Sequence, residues 1–468
     1  MGERSWWGAE LLAHGGHDET WASGHGDISF ADLRRQSAWQ AEVLHGHGIR
    51  AGDTVALHGS PSFTQLWVVF GLWSLGAQVI LLDPQLDARE QAALLERAAP
   101  RFQVTLRGPS EARGVFVDEC EVLVRRLPGG RRARTGHCVV QFSSGTTGRP
   151  KAVGRYSESL LAELDRLRGL DGMPRPGERV AVLEPVSHSF GLIGGVLHAL
   201  DTAATLVFPA AQSPRAVAAA AAGADVLIGN PWHFDWLATA EPGLSLPRLR
   251  VAVSGGDTLS PATARTFRDR YGVAIGQAYG TTETGILATD LTGRYGTPSV
   301  GVPVPGVRTR VVGGVLEVHV PQSPYLYEDE PWSGGWMGTR DLASVDPATG
   351  VLRLHGRLHG SARPALAGGF VDLLEIETVL RAHEHVTDAV VLGLDPIEAH
   401  VAGPLDRLDL RELRSWCRRF LGDAGSPDRY HLVPELPRTA SGKTVRDRGR
   451  LLLPAAGPAA PVDGGAES

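Results

Sequence analysis

Residues Val139 to Lys151 read Val-Val-Gln-Phe-Ser-Ser-Gly-Thr-Thr-Gly-Arg-Pro-Lys. A strand-forming run passes into hydroxyl and glycine residues and closes on a lysine. Ser143, Ser144, Gly145, Thr146, Thr147 and Gly148 offer backbone N–H and side-chain O–H donors, and Lys151 adds a point charge. Such a set can surround a triphosphate. The spacing is not the Walker pattern, since only Thr146 and Thr147 separate Gly145 from Gly148 and Ala152 follows the lysine.

Outward from this stretch, short apolar runs alternate with helical patterns. Thr54–Leu57, Gln78–Leu82, Val180–Leu183, Thr205–Phe208, Val226–Ile228 and Val251–Val253 read as strands. Ser159–Leu170 and Pro261–Tyr271 read as helices, and Leu66–Leu82 as a buried helix followed by a buried strand. The alternation predicts an α/β fold with helices covering largely parallel sheets. Near the start, Phe30, Leu33, Ala38, Ala41 and Leu44 predict one buried helix face. After Gly293, short segments such as Arg308–Val312, Val315–Val320 and Val351–His355, rich in nearby Gly and Pro, predict a small antiparallel or barrel-like part. From about Gly356 a further unit follows, with helices at Leu373–His383 and Leu410–Leu421 and a strand at Ala389–Leu392.

Composition bounds the function. At 468 residues the chain is long enough for about three folding units. A formal charge of −6 with no dense Lys/Arg block argues against nucleic acid or an anionic membrane as partner. Cys120, Cys138 and Cys417 fit neither a disulfide framework nor a cysteine-rich zinc site. With no leader-like start, the expected compartment is the cytoplasm. Among 46 basic residues only Lys151 and Lys443 are lysines. A lysine kept where arginine has otherwise replaced it marks a place that needs a compact ammonium.

Three more stretches share this character: Tyr279-Gly280-Thr281-Thr282-Glu283, Trp336-Met337-Gly338-Thr339-Arg340-Asp341, and Leu436-Pro437-Arg438-Thr439-Ala440-Ser441-Gly442-Lys443. With Gly356-Arg357 and the glycine loop, they resemble in order the motifs of the adenylate-forming superfamily of acyl-CoA synthetases, peptide-synthetase adenylation domains and luciferases. The resemblance covers nearly the whole chain. It implies a large N-terminal lobe (1–356) of α/β subdomains with a small β-barrel-like part. A hinge (357–360) and a small mobile α+β domain (361–453) follow, with 454–468 as a disordered tail.

The resemblance also implies roles. Residues 143–148 and Lys151 would bind the phosphates of ATP, with Tyr279, Gly280 and Thr281 near adenine. Thr282 would touch the α-phosphate, Glu283 would help hold Mg2+, and Asp341 and Arg357 would meet the ribose. Lys443 would be the catalytic lysine that draws a carboxylate to the α-phosphate. His188, Phe190, Gly255 and Gly256 would border the acid, with Trp232 at the far end of its pocket. When a carboxylate attacks the α-phosphorus, charge builds on phosphoryl oxygens and on pyrophosphate, so positioned cations matter more than any protein nucleophile.

The expected activity is formation of an acyl-adenylate, then transfer to coenzyme A. A carrier protein, an amine or another small nucleophile is the alternative acceptor, and a nucleotide binder without turnover the alternative class. Two departures bear on the second step. Leu358 to Arg363 lack the acids of the family hinge, and Gly368 lies two residues further on than usual. The segment Ile397–Pro404 is short, which predicts less than a full central strand pair.

Overall fold

The computed structural model describes residues 6–24, 26–108, 115–143, 151–327, 332, 334–357, 373–393, 396–422, 426–438 and 444–452, except the side chains of Ser143 and Arg357. Residues 144–150, the hinge segment 358–372, Lys443 and the tail 454–468 therefore lie outside the described residues. The chain divides into a larger unit that runs to Leu354 and a smaller one that begins at His355.

In the larger unit, one sheet of 6 described strands runs Glu121–Arg126, Phe102–Arg107, Thr54–Gly59, Gln78–Leu81, His137–Ser143, Lys151–Tyr156. Its inner four strands are parallel and its two edges antiparallel. The helix Phe63–Ser74 begins on a Ser62 cap, and its residues Phe63 to Trp73 are all buried. Each large apolar side chain so buried contributes on the order of 2 kcal/mol.

Against it packs Phe30–Gly46, whose buried face is Phe30, Leu33, Ser37, Gln40 and Leu44. That stripe differs from the expected one, because Ala38 faces solvent. The two helices approach backbone to backbone at Gly71, where a Cβ would lie 2.9 Å from the Ala41 nitrogen. Small and polar residues therefore take the face that periodicity assigns to alanines.

A second sheet has 13 described strands. Thr20–Ser23, Thr205–Val207, Arg179–Val182, Val226–Gly229, Val251–Gly255 and Ile275–Thr281 are parallel. The antiparallel strands after Gly293 continue this sheet by way of Gly285–Asp290, which pairs with Ile275–Thr281. Side chains alternate across the parallel part. Ala181, Leu227 and Ala252 share a core with Phe234 and Phe267 of the helices Pro231–Ala238 and Pro261–Tyr271. Val182, Val226, Ile228 and Val253 face the other way, toward a core that includes Leu192, Ile193 and Val196 of the π-helix Phe190–Leu197.

In the smaller unit, Asp388–Leu392 pairs antiparallel with Glu398–Ala402 over all five residues, and Glu398–Ala402 runs parallel to Arg429–Val433. The strand pair expected to be cut short is thus complete. No helix among the described residues is long and apolar enough to cross a membrane.

Candidate active site

The expected site residues of the larger unit gather where parallel strands end, the usual place for ligands in α/β sheets. His188 follows Arg179–Val182 and Gly255 closes Val251–Gly255, and Asp83, which was not expected, follows Gln78–Leu81. Tyr279 lies near the end of Ile275–Thr281.

Tyr279 donates its hydroxyl hydrogen to Asp341 at 2.5 Å. The motifs expected to meet adenine and ribose are therefore side by side. Asp341 is set by its amide bond to Thr339 Oγ1 (3.1 Å), whose hydroxyl donates to the Leu316 carbonyl at 3.0 Å. Arg340, between them, has φ +67°, the left-handed region that costs a non-glycine residue about 1–2 kcal/mol. Arg340 thus holds a backbone shape that glycine enters without a steric penalty.

From Thr281 to Gly285 the chain turns tightly. The Thr284 amide bonds to the Thr281 carbonyl at 3.2 Å, and the two threonine hydroxyls are 3.0 Å apart. Gly280 is required because a Cβ there would lie 2.2 Å from the Gly285 carbonyl oxygen. Gly285 has φ +72°, and its Cβ would strike Glu163. Glu163 accepts from the Ile286 amide at 3.0 Å and from Arg155 at 2.7 Å, with both charged side chains buried. This buried pair fixes the turn that carries Thr282 and Glu283, which are half-buried. The Glu283 carboxylate and the threonine hydroxyls of this turn are oxygen donors of the kind Mg2+ takes.

Lys151 opens the strand Lys151–Tyr156 directly opposite Ser143, so the base of the 144–150 loop is closed by a ladder pair. Its ammonium lies 5.2 Å from the Tyr325 ring centre. In the smaller unit the segment that carries Lys443 is likewise closed at its base, by the Arg438–Thr444 bridge and the Val445 amide to the Pro437 carbonyl at 2.9 Å. Arg438 bonds Asp388 at 2.7 Å, and Arg446 forks onto buried Glu377 at 2.5 and 3.0 Å.

On the acid side, His188 Nε2 meets Asp83 at 3.1 Å. Burial alone would push the Asp83 carboxyl up, but the His188 hydrogen bond and charge, the Gln85 amide and nearby His58 hold it below its ordinary value. Gln141 of the loop-bearing strand donates to the Ser187 carbonyl at 2.7 Å, a second tie between the two sheets. The Phe190 ring is pressed between two glycines, since a Cβ on Gly255 or on Gly194 would come within 2.8 Å or 2.7 Å of it. Gly256 has φ +83°. Behind Phe190 lies a cavity whose walls include Met173, Ile228, Val253, Ala278 and His198.

Trp232 is not among the residues that line this cavity. Its helix packs Phe234 and Leu237 into the core on the opposite face of the sheet, and the Trp232 ring meets that of Trp236 in a tilted contact, centres 4.0 Å apart.

Profiles of known families now bear on the chain. That of the AMP-binding enzymes matches residues 12–322, and that of their C-terminal domain matches residues 375–443. The chain belongs to this family. It is 26% identical over 473 residues to p-hydroxybenzoic acid–AMP ligase FadD22 of Mycobacterium tuberculosis, covering 91% of this chain but only 65% of that protein. Feruloyl-CoA synthase of an Amycolatopsis species is 27% identical, with 90% of this chain and 93% of the relative covered. The ATP-bound MatB structure from Rhodopseudomonas palustris superposes with a TM-score of 0.79 at 22% identity, over 95% of this chain and 98% of that one, and shares the fold.

Several supporting residues escaped the motif reading. Asp83 is one, and the Arg155–Glu163 pair another. A buried set around Glu184 is the third: Asn230 donates to Glu184 at 2.7 Å, and the Asn230 amide donates to His233 Nδ1 at 3.1 Å. His233 Nε2–H then reaches Gln212 at 2.9 Å, while burial drops its pKa to about 3 and keeps it neutral. Elsewhere, Glu398, His400 and His431 bring ligand atoms within 4.8 Å of one another. Arg448 at 2.6 Å and Arg429 at 3.1 Å already hold Glu398, so two guanidinium charges oppose a cation there.

Proposed function

We propose that this protein uses ATP to activate a carboxylic acid as its acyl-adenylate, releasing pyrophosphate, and then passes the acyl group to coenzyme A. The observation that supports the reading is the Tyr279–Asp341 hydrogen bond, which joins the aromatic ring that leads into the Thr281–Gly285 turn to a carboxylate able to accept from ribose hydroxyls. Relatives named as acid–AMP and acid–CoA ligases support the same chemistry.

In this reading Tyr279 packs on adenine and Asp341 accepts from the ribose hydroxyls, with Arg357 as a second contact. Ser143 to Gly148 and Lys151 hold the β- and γ-phosphates, and Thr282 donates to the α-phosphate. Glu283 holds Mg2+, which when bound offsets the charge of the leaving pyrophosphate. His188, steered by Asp83, borders the acid with Phe190, Gly255 and Gly256. A carboxylate oxygen attacks the α-phosphorus and the bond to pyrophosphate breaks. Lys443 offsets the charge shared by the two anionic reactants, which otherwise repel. The thiol of coenzyme A then displaces AMP from the acyl carbon.

Acid-dependent exchange of labelled pyrophosphate into ATP tests the first step, and thioester formation with coenzyme A tests the second. The first reading fails if no carboxylic acid supports exchange. Exchange without a thioester, but with acylation of a carrier protein or an amine, would keep adenylation and replace the acceptor.

A further inference from the structure

The cavity behind Phe190 is almost wholly apolar. Its lining is built from the sheet face that carries Val226, Ile228 and Val253 and from the π-helix. Among the lining side chains only His198 and Thr289 are polar. His198 is 2% exposed, and neither ring nitrogen has a hydrogen-bond partner among the described residues. An imidazole in that position leaves a donor and an acceptor unused, which is costly unless something enters to meet them.

Size and charge narrow what enters. The cavity measures about 30 Å³, room for roughly two water-sized groups, so it takes the end of a molecule and not a long chain. Burial pushes the His198 pKa down against the pull of Glu163 and Asp201. The neutral ring offers one donor and one acceptor and no charge for a second carboxylate. Position does the rest. A Cβ on Gly255 would come within 2.8 Å of the Phe190 ring and one on cavity-lining Gly194 within 2.7 Å, so this ring adjoins both the Gly255 backbone of the proposed acid site and the cavity.

We propose that this cavity is the distal end of the acid pocket and that His198 selects an acid carrying an uncharged hydroxyl group at its far end. The inference rests on the adenylation reading for the near end of the pocket. His198 is thereby a specificity residue for the acid, remote from the reacting carboxylate.

The test uses the full chain and three matched pairs of acids: benzoate with 4-hydroxybenzoate, cinnamate with 4-hydroxycinnamate, and octanoate with 8-hydroxyoctanoate. In pyrophosphate exchange, at least one hydroxylated member should exceed its partner in kcat/KM by roughly tenfold or more. His198→Leu should bring that ratio close to one, and His198→Gln, which keeps a donor and an acceptor, should restore most of it. The ratio is taken within each variant, so a general loss of folded protein does not imitate the effect.

A preference for the unsubstituted acid in every pair overturns the proposal, as does a hydroxyl preference that survives His198→Leu. If an ordered water satisfies His198 instead, both members of each pair will react alike, which also overturns it. Calorimetric binding of the same pairs separates the two readings. Hydroxyl-selective binding without exchange would sink adenylation and keep the pocket, whereas exchange without selectivity would do the reverse. Neither binding nor exchange with any of the six acids would sink both.

Discussion

The Thr281–Gly285 turn and the Asp83–His188 junction both close strand ends in the larger unit, but they are held by different forces. Behind the turn is a fully buried ion pair, Arg155–Glu163, with the Glu163 carboxylate also fixing the Ile286 amide. The junction is a single half-exposed contact of 3.1 Å, next to an aromatic ring between glycines and a buried histidine with no partner among the described residues. In the proposed function a nucleotide presents the same atoms whatever the acid, so the side assigned to it can be locked by charge. The acid side depends on shape and a few polar groups, which allows its specificity to change without disturbing the other.

The largest expected effect is on the shared chemistry. Lys443→Ala should lower exchange by about a thousandfold while ATP binding stays within a few-fold, and by the same factor for every acid tried. Lys443→Arg should fail as well, because a planar guanidinium does not replace a compact ammonium. Near-normal exchange by the alanine variant would remove Lys443 from its proposed role, and a factor that depends on the acid would blur the division drawn above.

Next comes the support of the turn. Glu163→Ala leaves the Arg155 charge buried without its partner, which should cost about 3 kcal/mol or more and lower Tm by roughly 4 °C. An unchanged Tm in thermal unfolding would mean that the turn does not depend on this pair.

These supports show where sequence patterns stop being informative. The helices Pro261–Tyr271 and Leu410–Leu421 and the strand Val315–Val320 appear in the structure with the limits read from the sequence, because periodicity and the Ser260-Pro261 and Tyr271-Gly272 boundaries are local signals. The motif at Tyr279 was legible only through its resemblance to a family's ordered motifs, since Gly-Thr-Thr by itself also makes an ordinary turn. The Asp83–His188 contact spans 105 positions, and no local pattern announces it. Glu163 did leave a trace. It stands within the buried stripe Leu160, Leu164, Leu167 of its helix, and a carboxylate on an apolar face calls for a buried cation. The buried face of Phe30–Gly46 was misread because close backbone approach at Gly71, not side-chain hydropathy, decides which residues turn inward there.

A smaller effect is expected at the junction. Asp83→Asn keeps the shape but weakens the hold on His188, so KM for the acid should rise several-fold while KM for ATP does not. Its pH dependence has a definite sign. The folded state holds the Asp83 carboxyl below its ordinary 3.8, so its contribution to stability is complete above about pH 5 and is lost as pH falls through the lowered value. The stability difference between wild type and Asp83→Asn should therefore be flat at neutral pH and shrink in acid. Equal rises in both KM values would show that the junction also serves the nucleotide.

The smallest effect tests whether the locked side is also strained. Arg340 holds φ +67° one residue before Asp341, a conformation that glycine enters without a steric penalty. Arg340→Gly removes a cost of about 1–2 kcal/mol in the folded state but adds about 0.5–1 kcal/mol of backbone entropy to be lost on folding. The net should be a gain of between about zero and about 1.5 kcal/mol, read as a slightly higher midpoint in urea at unchanged slope. A loss of more than that would mean that the arginine side chain itself stabilises the Thr339–Asp341 corner, and that the nucleotide side is held at this point by side-chain contacts strong enough to outweigh backbone strain.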